Sequence, residues 1–348
     1  MAFVAYKNAK EHECDDELIK VAQDNGLFKD LAYYLVERQD QDLWCRVLKP
    51  ADFEEGQPES PSRRYLLDQV VQTALPESKN PDEVSSTVKA FMACDLPGEL
   101  IELLERIVLQ GSDFSDNKNL QNLLILTAVR ANQEKVMEYI NRLDNFDGPD
   151  IAKIAGSEEH QLYEEALTIY IKFGKNSTGE EQAAHHIDAM EVIVDNIKDM
   201  DRAKEFAERV NIKPCWSKLG KAQLEANVSE SIAAYIKAGD ADDYNLVIAE
   251  AEKANNHEDL VTYLKMCRKS IKETVLDTQL IYSLARTNKL AELEEVISVA
   301  NVAKIDTTGE RCFNEELYDA AKILFININN NAKLALCFVK MNQYVSGS

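Results

Sequence analysis

The 134 residues after Pro214 contain no proline, and no other feature of this sequence narrows its possible folds so much. Proline removes a backbone donor and clashes with the preceding helical turn, so its absence over that distance leaves helix unopposed. With 12 glycines and 8 prolines in 348 residues, breakers are sparse along the whole chain. The apolar spacing agrees. Leu317, Ala320, Ala321, Leu324, Phe325 and Ile328 form one stripe on a 3.6-residue helix, and Leu100, Leu103, Leu104, Ile107 and Val108 form another. Ala203, Phe206, Ala207 and Val210 repeat the pattern. Helix ends are legible too. Asn80-Pro81-Asp82-Glu83 supplies an N-cap, a proline at the first helical position and an acid in the first turn. Gly148-Pro149-Asp150 opens a second helix by the same logic, and Gly111 is a C-terminal stop. No sustained alternation of period two occurs, so strands are at most incidental and the chain is all-α.

Charge limits what such a helical chain can do. It carries 39 Lys+Arg against 61 Asp+Glu, a formal net charge of -22, which repels phosphate backbones and argues against nucleic-acid binding. The hydrophobic fraction of 45% is enough to build a core. The longest apolar runs, such as Leu334 to Val339, fall far short of the roughly 20 residues that a membrane-spanning helix needs, so no direct membrane insertion is expected. The N-terminus, Met1-Ala-Phe-Val-Ala-Tyr-Lys, lacks the pattern of a secretory signal. Seven cysteines, at 14, 45, 94, 215, 267, 312 and 337, are odd in number and widely spaced. They read as small core residues of a reduced, cytoplasmic chain.

A length of 348 residues suggests about two compact domains or one elongated array, and internal repetition favours the array. Leu124-Ile-Leu-Thr-Ala-Val-Arg-Ala-Asn132 aligns with Leu280-Ile-Tyr-Ser-Leu-Ala-Arg-Thr-Asn288 at an offset of 156. Leu162-Tyr163-Glu164-Glu165-Ala166 aligns with Leu317-Tyr318-Asp319-Ala320-Ala321 at an offset of 155. A shorter echo links Asp30 to Leu35 with Asp259 to Leu264, each a few residues after an Asn-rich turn such as Asn25-Gly26 or Asn255-Asn256. The picture is an α-solenoid of stacked helical hairpins, each burying its apolar face against its neighbours. The polar segments Pro50 to Arg64 and Gly174 to Glu181 read as surface loops.

The residues that could carry chemistry have bland readings. Gly174-Lys175 and Gly220-Lys221 lack the upstream glycine and the following Ser/Thr of a phosphate loop. His12-x-Cys14 and His185-His186 have no second pair at metal-binding spacing and read as surface histidines. Asp240, Asp242 and Asp243 resemble the start of a calcium loop, but Asn245 stands where the turn needs glycine, so a helix-capping turn is favoured. No nucleophile elbow and no Cys-His signature is present. We therefore expect no catalytic, cofactor-binding or metal site, and no enzyme activity. Trp216-x-x-Leu219-Gly220, followed by Ser231 to Tyr235, copies part of a tetratricopeptide unit; Gln223 replaces the expected tyrosine and no 34-residue echo flanks it. Tyr163, Tyr170, Phe206, Tyr235 and Tyr318 lie on helical stripes and read as packing residues.

Longer stretches go beyond a generic solenoid. Leu67 to Leu75, Val88 to Met92, Glu99 to Glu105, Asn119 to Thr127, Val136 to Asn145, Asp201 to Arg209 and Leu290 to Glu295 resemble the clathrin heavy chains, and the resemblance runs from about Val4 to Tyr344. It implies a leg built of clathrin heavy-chain repeats, with residues 1–145 one repeat, 146–303 a second, and 304–348 the start of a third. The 155-residue offset is then the repeat length. Extra residues around Lys10 to Glu13, Phe53 to Ser62 and Gly174 to His186 depart from the family pattern. The chain opens inside the leg pattern and ends in Ser-Gly-Ser, which reads as a fragment.

The resemblance implies a structural scaffold, the distal-leg to knee segment of a polyhedral coat on the cytoplasmic face of coated pits and vesicles. Its partners would be other clathrin heavy chains through leg-to-leg contacts, with light chain and adaptors bound by other parts of the longer protein. No cofactor is implied. The alternative is a tetratricopeptide-like adaptor that binds linear peptides in a groove.

Overall fold

Within the described residues of a computed structural model, 14–48, 61–75 and 78–341, every regular element is helical and no strand occurs. His12, the extra residues at Lys10 to Glu13, the closing Ser-Gly-Ser, and positions 50–60 of the polar segment lie outside the described residues. The chain divides into two units, Met1–Phe173 and Gly174–Ser348.

The first unit holds α1 (Asp15–Asp24), α2 (Phe28–Arg38), α3 (Gln41–Leu48), α4 (Pro61–Gln69), α5 (Pro81–Ala93), α6 (Pro97–Leu109), α7 (Lys118–Ala131), α8 (Val136–Arg142) and α9 (Gly148–Ala155). Helix α10 (Tyr163–Asn176) contains the division. The second unit continues with α11 (Gly179–Glu191), α12 (Met200–Val210), α13 (Lys213–Gln223), α14 (Val228–Ala238), α15 (Tyr244–Lys253) and α16 (His257–Cys267). It ends with α17 (Thr274–Arg286), α18 (Leu290–Ser298), α19 (Ile305–Asn314), α20 (Tyr318–Asn327) and α21 (Asn331–Lys340). Helices are short, and the heaviest packing is between chain neighbours: α6 on α7, α13 on α14, α16 on α17, and α19 on α20. That is the local, repeated packing of an α-solenoid.

The anticipated stripes are the buried faces. Leu100, Leu103, Leu104, Ile107 and Val108 are all buried on α6, and Ala320, Ala321, Leu324 and Phe325 on α20. Ala203, Phe206 and Ala207 are buried on α12. Each large apolar side chain removed from water in this way contributes on the order of 1.5–3 kcal/mol before chain entropy is subtracted. In the second unit the buried residues form one continuous core from Leu224 through Tyr263, Leu280 and Phe325 to Cys337.

The ends obey capping chemistry. Asn80 Oδ1 accepts from the Asp82 N–H at 3.1 Å ahead of Pro81, as its sequence requires. The Asn-rich turns divide the labour between two residues. Asn255 ends α15 in the left-handed region at φ 53°, and Asn256 then caps α16 by accepting from the Asp259 N–H. Two π-helical segments, Val70–Ala74 after α4 and Val192–Ile197 after α11, have no signal in the apolar pattern.

One loop expectation is corrected. Over Gly174 to Glu181 the chain is mostly helix, since α10 runs to Asn176 and α11 starts at Gly179. Gly174 does not break α10: a Cβ there would lie 2.9 Å from the His186 ring, so the glycine marks a close approach between side chain and helix. Pro61 to Arg64, expected as the end of a loop, instead opens α4, with proline at the first helical position.

Candidate functional site: the seams between hairpins

Five of the seven cysteines are buried, which is the packing role expected of them; Cys45 is half-buried and Cys14 exposed. The tetratricopeptide-like hairpin shows what its signature residues do. A Cβ on Gly220 would stand 3.0 Å from the Tyr235 ring and 3.2 Å from the Ser231 carbonyl, so only glycine lets α13 and α14 approach this closely. The Ser231 hydroxyl donates to the Gly220 carbonyl at 2.7 Å, fully buried. Trp216 is 3% exposed and donates its indole N–H to Asn211 Oδ1 at 3.1 Å, while Lys237 Nζ sits 3.9 Å from its ring centroid. These residues hold a seam shut and are unavailable to a peptide.

Polar side chains tie each hairpin to the next. Lys204 pairs with Glu230 at 3.0 Å, Lys218 with Asp195 at 2.7 Å, and Lys289 with Glu258 at 2.5 Å. Exposed pairs of this kind contribute little individually. A half-buried lysine that serves backbone acceptors matters more. Lys172 Nζ, reaching from α10, donates to the carbonyls of Ile140 at 2.9 Å and Leu143 at 2.5 Å, satisfying orphan acceptors at the end of α8. The side-chain hydrogen bond from Arg311 to Glu252 spans 59 positions. It links α19 to α15, past the helix pair between them.

The sequence repeat reappears as geometry. The Asn145 N–H donates to Gln121 Oε1 at 2.9 Å, and the Asp147 N–H to Asn122 Oδ1 at 2.8 Å. One repeat later the Val302 N–H donates to Asp277 Oδ2 at 2.8 Å, and the Lys304 N–H to Thr278 Oγ1 at 3.0 Å. Two adjacent side chains near the start of a long helix thus pin the loop that follows the next α-helix, at α7 and again at α17. Just beyond, Gln161 and Glu316 both adopt left-handed backbone, at φ 56° and 64°, immediately before the aligned Leu162 and Leu317.

A polar cluster joins α15, α17 and α19. Arg311 donates to Glu252 at 3.0 Å and to Glu315 at 3.2 Å, and its guanidinium lies 3.5 Å from the Tyr282 ring centroid. The Tyr282 hydroxyl donates to Glu315 at 2.7 Å. Burial pushes the Glu315 carboxyl up, but hydrogen bonds from Tyr282 and Arg311 and the charges of Arg311 and Arg286 outweigh it and hold it below its ordinary value. Burial, then the bond to Glu315, pushes Tyr282 up to about 12. His257, 7% exposed, is pushed down by burial and by Arg286 and Arg311, against Glu252 and Glu315. Its Nδ1 is 3.4 Å from Ser283 Oγ, a nucleophile-and-base geometry in outline. Ser283 is 0% exposed, however, so this pair locks packing and meets no substrate.

The remaining candidates fall apart from one another. His185 and His186 are not surface residues: His185 is buried, and His186 packs edge-on against Phe206 with centroids 6.0 Å apart. They face inward because α11 turns this face onto α12 and α13, an orientation that adjacent histidines do not reveal. Asp240 Oδ1 caps a turn by accepting from the Asp242 N–H at 2.9 Å, whereas Asp243 accepts from the Tyr235 hydroxyl at 3.2 Å. Among the described residues no group of three or more His, Cys, Asp or Glu is placed to hold a metal ion. No described helix is long and apolar enough to cross a membrane. Gln121, Asp277 and Lys172 were invisible in the sequence, since single polar residues on amphipathic helices carry no motif.

An all-α chain whose residues are devoted to sealing successive hairpins defines an α-solenoid scaffold. The sequence model of the clathrin repeat, described as "Region in Clathrin and VPS", matches residues 75–230 and 235–347, and the chain belongs to that family. It is 51% identical to a clathrin heavy chain of Dictyostelium discoideum over 345 residues, 99% of this chain and 19% of that protein. It is 49% identical to one of Drosophila melanogaster and 48% identical to clathrin heavy chain 2 of Homo sapiens, each over 345 residues and 99% of this chain, covering 19% and 20% of those proteins. The chain thus spans about a fifth of the length of the curated relatives it matches.

Proposed function

We propose that this chain is a leg segment of a clathrin coat, lying in the distal leg toward the knee and serving endocytosis and intracellular protein transport at the cytoplasmic face of coated pits and vesicles. Identity of about half its residues to clathrin heavy chains over 99% of its length carries this reading. The loop-pinning bonds at Gln121 and Asn122, repeated at Asp277 and Thr278, support a division into repeats at 1–145 and 146–303, with a third beginning at 304.

The work is mechanical and involves no catalysis. Mostly local packing lets small movements at each seam add along the segment, while weak contacts with other heavy chains sum through multivalency. Adaptors and light chain are engaged by other parts of the longer protein. A net charge of -22 makes leg-to-leg packing sensitive to salt and pH.

A chimera tests this reading: the matching fifth of the Dictyostelium heavy chain is replaced by this chain, and cage formation is followed by light scattering and electron microscopy. Closed cages with a salt-dependent onset are expected. A chimera with native helical content and a cooperative thermal transition that forms no cages would refute the proposal.

A further inference from the structure

Helices α3 and α5 meet at an edge-on contact of Trp44 and Phe91, with ring centroids 5.9 Å apart. Beside it, Cys45 Sγ lies 3.5 Å from Cys94 Sγ, and no disulfide joins them. Cys94 is the residue that ends α5, its N–H bonded to the Ala90 carbonyl at 3.0 Å, and it is 1% exposed. Cys45, on α3, is half-buried and reachable from solvent. A disulfide needs the sulfurs about 2.05 Å apart, a closure of roughly 1.5 Å that side-chain rotation on two packed helices can supply.

We propose that Cys45 and Cys94 form an oxidisable dithiol, a modification site that takes low-molecular-weight disulfides of the glutathione class and closes into a cross-link between α3 and the end of α5. The Cys45 thiolate attacks one sulfur of oxidised glutathione, forming a mixed disulfide and expelling a glutathione thiolate. The Cys94 thiolate then attacks Cys45 Sγ, and a second glutathione thiolate leaves. Two protein thiols are oxidised and one glutathione disulfide is reduced to two thiols, which take up the two protons that the cysteines lose.

The proximity of the two sulfurs sets this pair apart, and burial also disfavours the thiolate at three cysteines elsewhere. Burial pushes Cys215 and Cys312 up to about 12 and Cys267 up to about 11. Among the described cysteines, only Cys45 and Cys94 have sulfurs within hydrogen-bond range of each other. The cross-link closes the chain between positions 45 and 94, a span that includes the polar segment from Pro50 to Arg64. It therefore closes a loop of the chain that contains one of the departures from the family pattern, and raises the thermal transition.

Incubating the full 348-residue chain with oxidised glutathione under native conditions, then counting thiols and mapping peptides by mass spectrometry, tests the site. The expected result is loss of two of seven thiols, a monomer lighter by two hydrogens, and one cross-linked pair containing positions 45 and 94. Cys45→Ser should abolish the cross-link and Cys215→Ser should leave it intact, both judged only with a native-like thermal transition. Mapping on the unsubstituted chain stands even if Cys45→Ser fails to fold. A stable glutathione adduct at Cys45 without the cross-link, a bridge between other cysteines, a dimer, or seven unchanged thiols would each overturn the proposal.

Discussion

The Val302 N–H is held by Asp277 Oδ2 at 2.8 Å, while the same carboxylate pairs through Oδ1 with Arg268 Nε at 2.5 Å. A side chain on α17 thereby fixes the loop that leads from α18 into α19. Gln121 does the same work for Asn145 one repeat earlier, without a charge.

Asp277→Ala leaves a loop N–H and a half-buried guanidinium without their acceptor. We expect a loss of about 2–4 kcal/mol, and for Gln121→Ala about 1–2 kcal/mol, because the second bond is neutral. Urea denaturation reads both. If Gln121→Ala stays within about 0.5 kcal/mol of the parent, the pin is not a structural device.

Lys172 separates a hydrogen-bonding role from an ion pair. Its Nζ caps the Ile140 and Leu143 carbonyls and also pairs at 2.7 Å with Asp144, which is 83% exposed. Lys172→Met should cost about 1–2 kcal/mol, and Asp144→Ala less than about 0.5 kcal/mol. Equal losses in the two variants would mean that the ion pair, not the capping, does the stabilising.

Glycine substitutions distinguish a close approach from open space. Gly220→Ala places a methyl 3.0 Å from Tyr235 and should destabilise by about 1–3 kcal/mol. Gly98, in the first turn of α6, has nothing within 4 Å of an added Cβ, and Gly98→Ala should stabilise by up to about 1 kcal/mol. Thermal denaturation of the two single variants checks the opposite signs.

Acid should weaken the fold in two stages. Burial depresses both His186 and His257 from 6.5, so the unfolded chain takes up protons that the folded chain refuses. This stabilisation is complete above about pH 6.5 and is lost as pH falls toward the folded values. Glu105 and Glu315, lowered from 4.5 by their hydrogen bonds against the effect of burial, add a second loss below about pH 4.5. The melting temperature should fall between pH 7 and 5, and less steeply in His257→Gln. An unchanged slope in that variant would show that His257 does not contribute.

The helices, their caps and the apolar stripes were legible from one dimension, because a 3.6-residue period, an Asn-Pro start and an Asn-Asn turn act within a few residues of themselves. Repetition was legible for the same reason, since each repeat solves the same local packing problem again. The inward-facing His185 and His186, the helical Gly174, the π-helical segments and the partners of Asp277, Gln121 and Lys172 were not. Those depend on which face of one hairpin meets the next. That choice is made by interlocking shape and by buried polar groups finding acceptors some 23 to 34 positions away, as Arg38 finds Asp15 and Tyr139 finds Glu105, distances at which sequence spacing carries no signal.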